Sequence, residues 1–249
     1  MIFHNFIIDY AGYYLIFVRL LISLLFVLTL SSLAGAEVIV DDHIAVSGSA
    51  HMLTAKTMGR FFPEGGEVVE FFVDDVSIGK NLSGGDGRAF KELDPGHRGL
   101  YPISAAAGND RDSGLLLVLD KGEAIVFVDI EGTLSGGVFP MEPGDGTRDS
   151  IKRISERFPL VYLKSSMLDS GFLKGWLKKY DFEEAPVLEW ADGDIFEDVL
   201  GYGFKIRAVI GSPPVIESAE GYTSDLFRFD GVGGGEETGG WDELDDKIR

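Results

Sequence analysis

Two hydrophobic patterns occupy this chain one after the other, and together they constrain the fold more than any other feature. From Glu37 to about Ala107, apolar residues recur with period two in short runs: Val38-Ile39-Val40, Ile44-Ala45-Val46, Glu67 to Val73, Arg88 to Leu93 and Leu100 to Ala105. Turn residues separate the runs, at Asp74-Asp75, Gly84-Gly85-Asp86-Gly87 and Asp94-Pro95-Gly96. Short alternating strands between such turns predict an all-β sandwich, because period two turns one face of each strand toward a core. After Gly108 the apolar runs become continuous, at Leu115 to Leu119, Ala124 to Ile130, Leu160 to Leu163, Pro186 to Glu189, Ile206 to Ile210 and Leu226 to Phe229. Helical stretches lie among them at Asp149 to Arg157, Ser170 to Tyr180 and Ile195 to Leu200. Continuous apolar strands alternating with helices predict a parallel sheet covered on both faces. The chain therefore reads as two domains, an N-terminal all-β sandwich at 37–108 and a C-terminal three-layer α/β parallel sheet at 109–230. Residues 231–249, rich in Gly, Glu and Asp, read as a flexible acidic tail.

The 249 residues are 45% hydrophobic and 12% aromatic, enough for two packed cores. Acidic residues outnumber basic ones 41 to 22, for a formal net charge of -19. A surface that negative repels phosphate backbones, so no nucleic acid is expected as a partner. Cysteine is absent, which excludes disulfides, thiolate metal centres and a cysteine nucleophile. His43, His51 and His97 lack metal-ligand spacing and read as surface or core residues. Trp176 and Trp190 read as packing residues, and Asp192-Gly193-Asp194 as a turn.

The N-terminal 36 residues carry an export signature. Tyr13 to Leu33 is one long apolar run containing Arg19 and a few serines. Arg19 supplies a positive start, Leu20 to Leu30 the apolar segment, and Ala34-Gly35-Ala36 a small-x-small cleavage pattern, so Glu37 would begin the mature chain. Val18 stands directly before Arg19, which places the true start near 18 if a valine codon initiates. The same run is long enough to span a bilayer, so residues 1–36 are either a cleaved signal peptide or a membrane anchor. Both alternatives put the remainder outside the cytoplasm, in the periplasm or extracellular space.

Within the sandwich, Val69, Phe71, Val73, Asp74, Ile78, Gly79, Asp86, Gly87, Ala89, Gly99 and Tyr101 follow a "V-x-F-x-V-D-x-x-x-I-G … D-x-G-x-A … G-x-Y" pattern. This resembles bacterial Ig-like domains and covers about a quarter of the chain. The resemblance implies a spacer or adhesive module, with an envelope protein or a glycan as the partner.

In the second half, the strand Ala124 to Val128 delivers Asp129-Ile130-Glu131-Gly132-Thr133-Leu134 to its carboxyl end, where sites form in open parallel sheets. From Leu115 to Asp230 the sequence resembles the haloacid dehalogenase (HAD) phosphohydrolase superfamily, whose first motif is D-x-D-x-T. The segments "FPLVYLKSS" and "GFLKGWLKKYDFEEAPVLEW" look closest to its cap-less branch, near lipin-type phosphatidate phosphatases. Two carboxylates two residues apart can flank one phosphoryl group, one as nucleophile and one as general acid and base.

The resemblance implies a Rossmann-like HAD fold with Asp129 as the nucleophile that forms an aspartyl-phosphate and Glu131 as the acid/base, one methylene longer than the family's Asp. Thr133 matches the loop-steadying threonine. Ser165 matches the phosphate-binding hydroxyl one residue late, unless Lys164 has replaced it. Lys205 stands as the phosphate-neutralising lysine. Magnesium is the implied cofactor, with Asp129, Glu131 and Glu217 as metal ligands. The acid expected directly after the strand Ile206 to Ile210 is missing: Gly211-Ser212-Pro213-Pro214 follows, and Glu217 is the first acid. Only Ser135 to Gly146 separates the first motif from the next helix, room for a small flap and no cap. Two functions remain open. One is an exported magnesium-dependent phosphohydrolase acting on a phospholipid or other large phosphoester; the other is an inactive HAD-fold binding or scaffold protein of the cell envelope.

Overall fold

The computed structural model describes residues 18–19, 37–135, 142–228 and 240–248. The segment expected as an export signal or anchor, 1–36, lies outside the described residues apart from Val18 and Arg19, as do residues 136–141, 229–239 and 249. No helix among the described residues is long and apolar enough to cross a membrane.

The N-terminal half is a sandwich of two sheets. One is antiparallel and three-stranded in the order β1 (Glu37–Val40), β3 (His51–Met58), β6 (Arg88–Leu93). The other has five strands, β2 (His43–Val46), β8 (Asp110–Leu119), β7 (Gly99–Ala107), β4 (Val68–Val73) and β5 (Val76–Leu82), in that order. Val38, Val40, Leu53, Ala55 and Ala89 of the small sheet meet Ala45, Val69, Phe71, Ile103, Ala105, Leu116 and Val118 of the large one in a single buried core. The period-two alternation makes this possible, since every second side chain turns inward. Two carboxylates of β8 help hold β1 in place: Asp110 accepts from Val38 N at 2.6 Å and Asp112 from Val40 N at 2.8 Å.

The C-terminal half is a five-stranded, wholly parallel sheet in the order β11 (Val187–Glu189), β10 (Leu160–Lys164), β9 (Ala124–Asp129), β12 (Lys205–Gly211), β13 (Leu226–Arg228). Helices α1 (Thr147–Ser155), α2 (Ser170–Lys179) and α5 (Gly240–Lys247) cover one face, packing on Val126, Val128 and Tyr162. Helices α3 (Asp194–Gly201) and α4 (Pro213–Ala219) cover the other, against Ile125, Phe127, Val161 and Leu163. Alternate residues of β9 thus feed opposite layers, so this strand is apolar from Ala124 to Val128, up to its terminal Asp129.

Two boundaries differ from the sequence reading. Leu115 to Leu119 was expected to open the α/β domain at 109, yet it is the second half of β8, paired antiparallel with β7 from Asp110 to Val118. The reason is that β8 is buried on both sides: Leu116 and Val118 face the sandwich core, while Leu117 and Leu119 pack on the α/β half beside Ile44 and Val46 of β2. A doubly buried sandwich strand has the same continuous apolar run as a parallel one. The all-β portion therefore extends to Leu119. The second correction concerns the acidic tail. Its residues 240–247 form α5, whose Trp241 and Leu244, with Ile248 just beyond, are buried in the core beside α1, and the Trp241 carbonyl accepts a bond from the Ser150 hydroxyl. Three apolar side chains at positions 241, 244 and 248 make one helical face, which acidic composition concealed.

Candidate functional site

In the parallel sheet, β9 is followed by α1 and β10 on one side, and later β12 returns to its other side. The carboxyl ends of β10, β9 and β12 consequently meet at a topological switch point, where the chain has no crossover to fill the crevice. Each strand contributes its end residue or the next one: Asp129 ends β9, Ser165 follows β10 and Ser212 follows β12.

Asp129 is fully enclosed, with 0% of its surface exposed. Its Oδ1 accepts from the Ser165 hydroxyl at 2.7 Å and from Gly132 N at 3.3 Å. Its Oδ2 accepts from the Ser212 hydroxyl at 2.6 Å and from Ser212 N at 3.1 Å. Four donors therefore surround one carboxylate, the arrangement a buried charge needs when no cation pairs with it. Asp129 also caps the single turn of π-helix formed by Ile130–Leu134. The tight turn requires glycine at 132: a Cβ there would stand 2.3 Å from Asp129 Oδ2 and 2.7 Å from Ser212 Cβ. Beyond the turn, Ser135 and Pro143 form an antiparallel bridge that closes the short loop expected as a flap; residues 136–141 within it are outside the described residues.

Glu131 is half-buried and turns to the segment after β10. Its Oε1 accepts from Ser166 N at 3.2 Å and the Ser166 hydroxyl at 2.7 Å, and its Oε2 accepts from Ser165 N at 3.2 Å. Asp129, Glu131 and Ser165 are thus brought together, with the Ser165 hydroxyl between the two carboxylates. The buried Thr133 hydroxyl donates its proton to the Asp129 backbone carbonyl, which fastens the turn.

Two predicted residues are not part of this assembly. Lys205 begins β12 and pairs with Ala124 at the start of β9, so it sits at the amino edge of the sheet. Six residues of strand rise separate it from Gly211, roughly 20 Å. Parallel strands put all their starting residues at the edge opposite the site, so a lysine preceding the strand cannot neutralise charge beside Asp129. Glu217 lies exposed on α4, whose buried face is Val215, Ile216 and Ala219. Lys164 turns toward Glu189, 4.0 Å away. Among the described residues, no three acidic or histidine side chains converge closely enough to hold a metal ion. The donor set does not fit magnesium: Asp129 has both oxygens engaged by serines, and Ser212 stands where a metal-binding acid was expected.

Ser212 and Ser166 were not singled out by sequence as site residues. Ser212 follows β12 as Ser165 follows β10, and that equivalence of position is the signal that could have identified it.

A second polar cluster sits where the two halves meet. Asp42, in the corner between β1 and β2, accepts from Leu115 N at 2.8 Å, Val187 N at 2.8 Å and Lys174 Nζ at 2.7 Å. Burial pushes its carboxyl above the usual range, and Lys174 opposes that rise. Nearby, His43 Nδ1 and His51 Nε2 are 3.2 Å apart, and His43 Nε2 takes the Thr54 N–H at 3.1 Å. Burial, then the neighbouring His43, lowers His51 to about 4; burial also lowers His43.

No family model matches this chain, and no curated protein does. Among solved structures, the fibronectin(III)-like modules of Clostridium thermocellum CbhA align at 19% identity over 35% of this chain and 48% of that chain, with a TM-score of 0.27. An IG27 protein domain aligns at 12% identity over 35% of this chain and 97% of its own, with a TM-score of 0.29. The Yersinia pseudotuberculosis adhesin InvE aligns at 15% identity over 34% of this chain and 32% of that one, with a TM-score of 0.28. A polysaccharide lyase is matched over only 13% of its length, so the chain spans a small part of that protein.

Proposed function

We propose that this chain is an exported protein of HAD-like fold that binds or scaffolds in the cell envelope, and that its strand-end carboxylates serve structure in place of catalysis. The observation that carries this reading is the enclosure of Asp129 by Gly132, Ser165 and Ser212, with no exposed surface. A carboxylate nucleophile must offer a lone pair in line with phosphorus. Here the hydroxyls of Ser165 and Ser212 each engage one of the two Asp129 oxygens, which supports a structural role for that carboxylate. Charge argues the same way: a phosphate dianion beside two carboxylates needs a cation, and among the described residues neither Lys205 nor a third acid for magnesium is at hand. Contacts with an envelope protein or a glycan then fall to the Ig-like sandwich, where Phe61 and Phe62 are 75% and 76% exposed. The apolar leader with its Ala34-Gly35-Ala36 pattern supports export.

A second reading has one observation in its favour. Asp129 and Glu131 both bond Ser165 at the carboxyl edge of a parallel sheet, the grouping a magnesium-dependent phosphohydrolase of phospholipids or large phosphoesters would require. Hydrolysis of an aryl phosphate separates the two. The expected result is no turnover above buffer, with or without magnesium. Magnesium-dependent turnover that Asp129→Asn abolishes would establish the phosphohydrolase instead.

A further inference from the structure

Glu131 is bound as a ligand is bound. Its carboxylate lies against two consecutive backbone amides, Ser165 N and Ser166 N, each at 3.2 Å, and receives the Ser166 hydroxyl at 2.7 Å. Two successive N–H groups, one to each oxygen of the carboxylate, form an anion receptor with fixed partial positive charge and no side-chain cation. The Ser165 hydroxyl, 3.5 Å from Glu131 and 2.7 Å from Asp129, gives its single proton to Asp129. The receptor opens outward: Ser166 is exposed and Glu131 half-buried.

We propose that the Ser165–Ser166 turn is a receptor for one carboxylate monoanion, and that Glu131 is its built-in occupant, closing it to external anions. The inference rests on the reading of this site as non-catalytic, and it adds what the site binds and what regulates access to it. Charge selects the ligand class. The receptor already holds one negative charge beside Asp129, and the described residues bring no ammonium or guanidinium to the pair, so a second charge on the ligand has nothing to balance it. A carboxylate also matches two parallel N–H groups with its two oxygens. Because Glu131 is tethered, its local concentration at the receptor exceeds that of any free small anion, so the wild-type site stays closed.

The geometry sets a size rule that can be tested. Truncation to alanine keeps Cβ and removes one methylene with the carboxylate, the shape of acetate. We expect Glu131→Ala to unfold at a lower temperature than the wild type in chloride. Acetate at matched ionic strength should then raise its Tm saturably, recovering about half or more of the loss by mass action. Formate should do less, and neither the wild type, Glu131→Gln (whose tethered amide still occupies the space and gives one acceptor oxygen) nor Glu217→Ala (an equal charge change on α4) should respond. Should the alanine variant not fold in chloride, recovery of its far-ultraviolet circular dichroism on adding acetate is the same readout. Failure of acetate to act on the alanine variant, an equal response by the wild type, or a larger response to inorganic phosphate would each overturn the proposal. The assay contains neither magnesium nor a phosphate ester, so its outcome is independent of the turnover experiment.

Discussion

Asp129 lies where three strand ends converge, and its two oxygens divide between them, Oδ1 toward Ser165 after β10 and Oδ2 toward Ser212 after β12. With no surface exposed, the carboxylate depends on its protein donors for hydrogen bonds. Ser212→Ala removes the 2.6 Å hydroxyl bond and leaves only the backbone N–H on that oxygen. The expected cost is ~1.5–3 kcal/mol, the range for an unmade bond to a buried charged group. A urea titration checks it: the midpoint should fall with the slope unchanged. Part of this site was legible in sequence, because an acid at the end of an apolar run in D-x-E-G-T context is an unusual place for a charge. Ser212 was not, since a lone serine after a strand carries no distinguishing pattern, and the site depends on which strands become neighbours. Lys205 shows the same gap from the other side. Its place before β12 is readable from sequence, but only sheet geometry shows that strand starts and strand ends are opposite edges.

At the scale of elements, the informative cases are those with two buried faces. β8 carries Leu116 and Val118 for one core and Leu117 and Leu119 for another, so its apolar run imitated a parallel strand. The five parallel strands themselves were readable because length and bounding turns separated them from helices. By contrast, α5 was missed because the buried positions described there are few, Trp241 and Leu244 with Ile248 just beyond the helix, within an acidic stretch. The junction between β2 and β3 makes a further expectation. His43 Nε2 accepts the Thr54 N–H, so His43 carries its proton on Nδ1 and donates to His51 Nε2; the pair is satisfied only when both rings are neutral. Asp41 and Asp42 directly precede His43 in the chain, Asp198 of α3 borders the same cavity, and Lys174 acts on His43 from α2. A histidine lowered in the folded state binds fewer protons there than when unfolded. Its contribution is therefore complete above the unfolded value of 6.5 and is lost as pH falls from there toward about 4. The urea midpoint of the wild type should decline across that window, and that of His51→Asn should decline less. Equal slopes for the two proteins would remove the histidine pair as the cause.

For the whole molecule, the two halves share a core, because Ile44, Val46, Leu117 and Leu119 of the sandwich pack with Ile125, Phe127, Phe196 and Phe204 of the α/β half. Asp42 adds a polar bond across the same boundary, joining Leu115 N to Val187 N and Lys174. Two sequence patterns had suggested two independent domains; a shared interior predicts one cooperative unit. All 3 tryptophans, Trp176, Trp190 and Trp241, belong to the C-terminal half, so their fluorescence follows that half while circular dichroism follows both. The two probes should report one coincident unfolding transition, and Asp42→Ala should move both together, by about 1–3 kcal/mol, since it leaves the N–H groups of Leu115 and Val187 without their acceptor. Separate transitions would contradict the shared core. The most direct trial of the central claim, that Asp129 is sealed by its own serines, is fluorine resonance spectroscopy with magnesium and beryllofluoride, which coordinates a carboxylate able to accept a phosphoryl group. The sealed site predicts the free beryllofluoride spectrum alone. A bound signal that Asp129→Asn removes would show that the carboxylate is open to a phosphoryl group, and the account would be wrong.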